Sequence, residues 1–264
     1  MVYLLSYEKG APLLKDHLNL GGDNGKCSIE VTSRCLVKNG KPWLPIVGEY
    51  HFSRANPQEW KRELCKMKAG GIDIVSSYVI WIHHEEEEGI VRFDENCDLR
   101  RFVQTCFQLG LFVILRVGPW VHGEVKNGGF PDWLLKKPNI HPRSNDPQYL
   151  DYVKKWYTAL AQQLQGLLFE DGSGLIGFQI ENELARDKEH IDTLLKLALQ
   201  SGLRAPLYTA TGWGIPTDAD LPEVKMLPAY SCYSEAPWAG HTKKLPPRRH
   251  YCFSPVLHAH PLGA

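Results

Sequence analysis

Short apolar runs alternate along the chain with longer stretches in which apolar residues recur every three or four positions, and polar or aromatic residues gather where each run ends. The short runs predict buried strands and the longer stretches predict amphipathic helices. Leu44 to Val47 is the first run, followed by Glu49, Tyr50, His51 and Arg54. Asn56 and Pro57 then predict a helix start, Trp60, Leu64 and Met67 share its inner face, and Gly70-Gly71 stop it. The unit repeats with Ile72 to Ile80, whose end carries Trp81, His83, His84 and Glu85, and with a helix from Asp98 that buries Leu99, Phe102, Val103 and Cys106 before Gly110. A third strand, LFVILRVGPW (111–120), leads into a polar loop with His122, Glu124 and Gly128-Gly129, then into the longest helix, from about Asp146 to Leu168. The fourth run, from Leu175 to Phe178, climbs into Gln179, Glu181, Asn182 and Glu183. After a helix closed by Gly202, APLYTATGWG (205–214) and VKMLPAYSCY (224–233) read as fifth and sixth strands.

Strands alternating with helices predict a parallel sheet, and near-continuous apolar strands predict one covered on both faces. Side-chain chemistry after each strand favours a (β/α)8 TIM barrel over a doubly wound sheet. No glycine-rich nucleotide loop follows any strand. The count stops at about six of eight strand–helix units, since 236–264 carries five prolines and no further clear unit. Upstream, SIEVTSRCLVK (28–38) alternates, and Asn39-Gly40 turns it into Lys41-Pro42-Trp43, a small hairpin. The organisation expected is an N-terminal segment and hairpin over 1–43 and an incomplete TIM-barrel catalytic domain over 44–264.

At 264 residues and 43% hydrophobic, the chain can bury a substantial core. Its 30 basic and 30 acidic residues balance, which gives no field to steer it to nucleic acid or an anionic membrane and points to a small, weakly charged ligand. The opening MVYLLSYEKG is too short and polar for a signal peptide's apolar region, and seven scattered cysteines show no CxxC pair, so a cytoplasmic chain with reduced thiols is expected, with export to the periplasm or outside the cell as the open alternative.

Two carboxylates at the tip of an apolar strand call for a chemical reading, because carboxylates are rarely buried unless paired or working. Glu183 is the candidate general acid: desolvation at a strand end disfavours its charged form. Asn182 is placed to donate to a sugar hydroxyl, and Gln179, Glu181 and Glu183 share one face on strict alternation. Glu49 and Glu124 add carboxylates at the same mouth. Trp81, Trp120, Trp133, Trp213 and Trp238 lie at or after strand ends, where rings can stack on a sugar, whereas Trp43, Trp60 and Trp156 read as core. The adjacent His83 and His84 diverge on an extended segment and no HExxH helix is present, so neither a metal nor another cofactor is expected.

The segments GEYHFSR (48–54), KMKAGGIDIVSSYVIWIHHEE (66–86), LRVGPWVHGEVKNGGFPDWL (115–134) and QIENE (179–183) together resemble the family 35 glycoside hydrolases, the retaining β-galactosidases. The resemblance implies Glu183 as acid/base, Asn182 near the substrate 2-hydroxyl, and a galactose pocket lined by Tyr50, Glu124 and the end of the second strand, with Trp81 and His84 there. Trp120, Trp213 and Glu181 complete the expected pocket, Glu181 as a supporting group. Ile82 departs from the asparagine that many members carry directly after the second-strand tryptophan, and His83 or His84 is placed to replace that contact. In this family the nucleophile is a glutamate of the seventh strand, about 5 Å from the acid/base. Only Glu189, Glu223 and Glu235 follow Glu183, none in such a setting, so the 264 residues are expected to lack the nucleophile. The expected ligand is a β-galactoside, and a protein that binds galactosides without cleaving them stays open as the alternative.

Overall fold

The computed structural model describes residues 20–32, 35–184, 187–212 and 226–230. Four short strands, β1 (Gly21–Asp23), β2 (Ser28–Val31), β3 (Leu36–Lys38) and β4 (Lys41–Trp43), form an antiparallel meander. Asn39 and Gly40 both take positive φ (50° and 74°), the turn that suits a tight hairpin between right-twisted strands. The expected hairpin is thus the β3–β4 part of a four-stranded sheet.

Six parallel strands follow: β5 (Val47–Glu49), β6 (Ile74–Tyr78), β7 (Phe112–Gly118), β8 (Leu175–Ile180), β9 (Leu207–Gly212) and β10 (Leu227–Tyr230). Their order in the sheet is their order in the chain, without the reversal that defines a doubly wound sheet. The helices between them are α1 (Trp60–Ala69), α2 (Leu99–Gln108), α3 (Pro147–Leu164) and α4 (Lys188–Ser201). The carboxylates of Asp98, Asp146 and Asp187 accept from Arg101, Tyr149 and His190 backbone N–H groups, each at 2.9 Å, which caps α2, α3 and α4. Asn56 instead caps a preceding turn, accepting from the Gln58 N–H at 3.0 Å, and α1 starts at Trp60. Helix α3 stops at Leu164, four residues short of the expected end, and Gly166 follows at φ 76°.

Strand alternation explains how the sheet divides its two ends. Ile74, Ser76 and Tyr78 share one face of β6, as Phe112, Ile114 and Arg116 do on β7, and Tyr78 pairs with Arg116 in register. The lower residues, Ile74, Phe112, Ile114, Ile176 and Leu207, pack with Ile29, Val31, Leu36 and Trp43 of the small sheet. Trp43 meets Phe112 edge-on at 5.5 Å. The meander therefore closes the N-terminal end of the parallel strands, and the same face turns polar only toward the C-terminal end. The opposite face, with Val75, Val113, Leu115, Phe178 and Ile180, forms the main core with α1 to α4.

Candidate active site

Arg116 is the hub of the C-terminal end. Its guanidinium lies 3.9 Å from the Tyr78 ring centroid, donates through one terminal nitrogen to Glu49 Oε2 and through the other to Asn182 Oδ1 at 2.6 Å. Glu49 Oε1 bonds His51 Nε2 at 2.6 Å, and Arg54 contacts His51 Nδ1 at 3.1 Å while donating to the Gly123 carbonyl at 2.5 Å. Because a guanidinium can only donate, Nδ1 accepts and the His51 proton sits on Nε2, facing Glu49. Burial pushes the Glu49 carboxyl up, but His51 and Arg116 outweigh it and hold the group below its ordinary range. This chain of bonds ties the ends of β5, β7 and β8 into one frame.

The turn after β7 lies over Tyr78. His122, Gly123 and Glu124 all take positive φ (63°, 54° and 47°), and a Cβ on Gly123 would stand 3.4 Å from the Tyr78 ring. Burial raises the Tyr78 hydroxyl well above its ordinary range, with Arg116 pulling down and Glu49, Glu124 and Glu183 pushing up. Three carboxylates from three strand ends therefore act on one hydroxyl. Trp120 packs flat against the Gly128 backbone, where an added Cβ would fall 2.3 Å from its ring carbons and φ is 60°. Gly128→Ala is expected to displace Trp120 and destabilise the protein by about 1–3 kcal/mol, read as a fall in the urea midpoint; an unchanged midpoint would show that the ring can move freely.

At the end of β8, Glu181 and Glu183 both adopt left-handed φ (57° and 53°), conformations that cost about 1–3 kcal/mol each in non-glycine residues unless their surroundings fix them. The bend breaks strict alternation and sends the two glutamates to different places. Glu181 is 1% exposed and takes Arg143 Nη2 at 2.8 Å; burial pushes its carboxyl up to about 7, against the pull of Arg143 and the Asn182 N–H. Gln179 donates to Asn182 Oδ1 at 2.9 Å. Glu183 Oε2 stands 3.5 Å from His122 Nδ1, the nitrogen that accepts from Trp120 Nε1 at 3.2 Å. The single lone pair of that nitrogen is taken by Trp120, so His122 stands beside Glu183 as a close polar neighbour.

Of the residues singled out from sequence, Glu183, Asn182, Glu181, Glu124 and Trp120 come together here. Tyr50 does not: its ring stacks on Phe102 at 6.1 Å, and Glu59 and Glu63 around α1 are the charges nearest in effect to its hydroxyl, so it belongs to the helix side of the sheet. Trp81 and His84 are corrected as well. The chain leaves β6 in a single helical turn, Trp81–His84, that puts Trp81 (1% exposed) on Trp156 at 5.5 Å and His84 (0%) among Phe52, Phe93 and Trp156. Neither can meet a ligand without opening the core. His83 bonds Ser53 Oγ at 2.9 Å and His84 bonds the Arg92 carbonyl at 3.0 Å, so the two rings diverge. Ile82 packs beside Tyr78, Ile80 and Val121. Trp213 lies outside the described residues. Tyr78, Arg116 and Arg143 were not singled out as candidates; the first two were detectable as polar members of otherwise apolar alternating faces, whereas nothing local marks Arg143.

A parallel α/β sheet numbered in chain order, with polar chemistry at the C-terminal strand ends, is the scaffold of a partial TIM barrel, represented here by a six-stranded open sheet among the described residues. The chain matches the model for glycosyl hydrolases family 35 over residues 35–252 and belongs to that family. Among curated proteins it is similar to the β-galactosidase of Pongo abelii (40% identity over 179 residues, 65% of this chain and 26% of that protein) and to that of Homo sapiens (40% over 155 residues, 59% and 23%). The β-galactosidase-1-like protein of Mus musculus is 39% identical over 184 residues, 67% of this chain and 28% of that protein. The chain thus spans about a quarter of the length of these relatives. Two solved structures share the fold: a GH5_18 protein of Streptomyces cattleya in complex with GlcNAc (TM-score 0.53, 16% identity, 76% of this chain and 53% of that one) and a β-galactosidase from the psychrophilic Marinomonas ef1 (0.53, 11%, 71% and 40%).

Proposed function

We propose that the protein is a retaining β-galactosidase in which Glu183 acts first as general acid and then as general base. The observation that carries this reading is the setting of Glu183: at a strand end, its side chain 14% exposed, next to the carboxylate-rich C-terminal end of the sheet and 3.5 Å from His122 Nδ1. In the first step the Glu183 carboxyl would protonate the leaving glycosidic oxygen as a second carboxylate attacks the anomeric carbon. In the second, the Glu183 carboxylate would take a proton from water as that water attacks the anomeric carbon and displaces the enzyme carboxylate. Asn182, oriented by Arg116 and Gln179, would bind the sugar near its 2-hydroxyl, and Glu124 would contact galactose.

Neither Glu49 nor Glu181 suits the nucleophile's role. Glu49 is held between Arg116 and His51, and Glu181 is buried against Arg143. With the nucleophile assigned to a glutamate outside this set, the 264 residues alone are expected to cleave an aryl β-galactoside at trace rates, and a longer form that supplies a further glutamate is expected to turn it over. The test is hydrolysis of phenyl β-galactoside by both forms, with galactose added in thermal unfolding. Thermal protection of both forms without product would establish the non-catalytic binder instead.

A further inference from the structure

We propose that Arg143 and Glu181 form a clasp that positions the Asn182–Glu183 peptide for proton transfer, without either side chain touching substrate. The inference rests on the acid/base reading of Glu183 given above. Arg143 arrives from the loop before α3, itself at φ 57°, with its guanidinium 4.7 Å from the Trp120 ring centroid. From there it donates to Glu181 Oε1 at 3.3 Å and, through Nη2, to both Glu181 Oε2 and the Asn182 carbonyl, each at 2.8 Å. The same Glu181 Oε2 accepts the Asn182 N–H at 2.9 Å. Both peptide groups flanking Asn182 are thereby gripped by one ion pair.

The carbonyl that Arg143 holds belongs to the peptide that leads into Glu183, so fixing its plane fixes the direction in which Glu183 leaves the strand. A residue at left-handed φ needs such external fixing, because the bend is not the backbone's own preference. The Asn182 side chain is held separately by Arg116 and Gln179, the Glu181 N–H by the Gly118 carbonyl at 2.8 Å, and the Glu181 carbonyl by Gln179 at 3.0 Å. Trp120 lies under the guanidinium and donates to His122, which joins the clasp to the residue that faces Glu183. The ionisable groups facing the pair are the Tyr149 and Tyr157 hydroxyls, both raised chiefly by burial and pushed further by Glu181, and His190, on which Arg143 acts.

A misplaced acid penalises a poor leaving group far more than a good one, since only the poor one needs its oxygen protonated. The experiment uses whichever form turns over in the assay above, and its variants Arg143→Lys and Glu181→Gln, on phenyl and dinitrophenyl glycosides of galactose, glucose and mannose. Each variant is expected to lose about tenfold to a hundredfold in kcat on the phenyl glycoside, with KM nearly unchanged and much less loss in the first turnover of the dinitrophenyl one. Equal losses on the two leaving groups, or no loss, would overturn the clasp; if Arg143→Lys does not fold, Glu181→Gln carries the same comparison. Turnover by the parent protein of glucosides or mannosides alone would overturn the galactoside reading and still test the clasp. No turnover of any glycoside would overturn both.

Discussion

On the acid/base role proposed for Glu183, Glu183→Gln is expected to lower kcat by about a thousandfold in any form of the protein that turns over phenyl β-galactoside, within the range that a positioned general acid–base contributes. The amide keeps the shape of the carboxyl and loses only its titration. Loss of the acid role slows the first step for a poor leaving group, and loss of the base role slows the attack of water. A dinitrophenyl galactoside separates the two: its first step needs no proton, so the variant should release one equivalent of dinitrophenol rapidly and then stall as the glycosyl-enzyme accumulates. A variant that keeps its kcat would move the acid/base role to another carboxyl.

Arg116→Met should have the largest effect on stability. Arg116 and Glu49 side chains are each 7% exposed, and the substitution leaves Glu49 buried with His51 as its remaining named partner while removing a donor from Asn182. Removing one member of a buried pair costs about 3–5 kcal/mol, a fall in Tm on the order of 10 °C for a domain of this size. The pH dependence follows from Glu49. Its folded pKa lies below the ordinary 4.5, so the unfolded chain binds its proton first as pH falls. The stabilisation is complete above about pH 4.5 and disappears as pH drops through the lower folded value. Denaturant titrations from pH 7 to 3 should show this loss in the parent and a shallower one in the variant; parallel curves would mean that Arg116 does not set the Glu49 ionisation.

Local pattern was enough to find five of the parallel strands and the intervening helices at nearly their observed positions, because strand and helix periods are written in residues two and four apart. It also placed Glu183, Asn182 and Glu124 at the C-terminal end of the sheet, since polar residues at the ends of apolar runs must either emerge there or find buried partners. Where it erred, the chain changes conformation just after a strand. Tyr50 follows the last residue of β5 and turns to the helix layer, and the helical turn Trp81–His84 rotates two expected ligand contacts into the core. Alternation carried past a strand end assigns side chains to the wrong side.

What the sequence determined by itself is the α/β class, the succession of strand–helix units and which strand ends carry carboxylates, all properties of neighbours along the chain. Only the tertiary structure decided which of those groups face one another. Arg116 lies 67 residues from Glu49 and 66 from Asn182, and Arg143 lies 38 from Glu181, so each pairing exists only because parallel strands bring their C-terminal ends together. The two glutamates of the fourth strand differ for the same reason. They share one local pattern, but the bend after Ile180 buries Glu181 against a cation from a distant loop and leaves Glu183 beside His122, partly open to solvent.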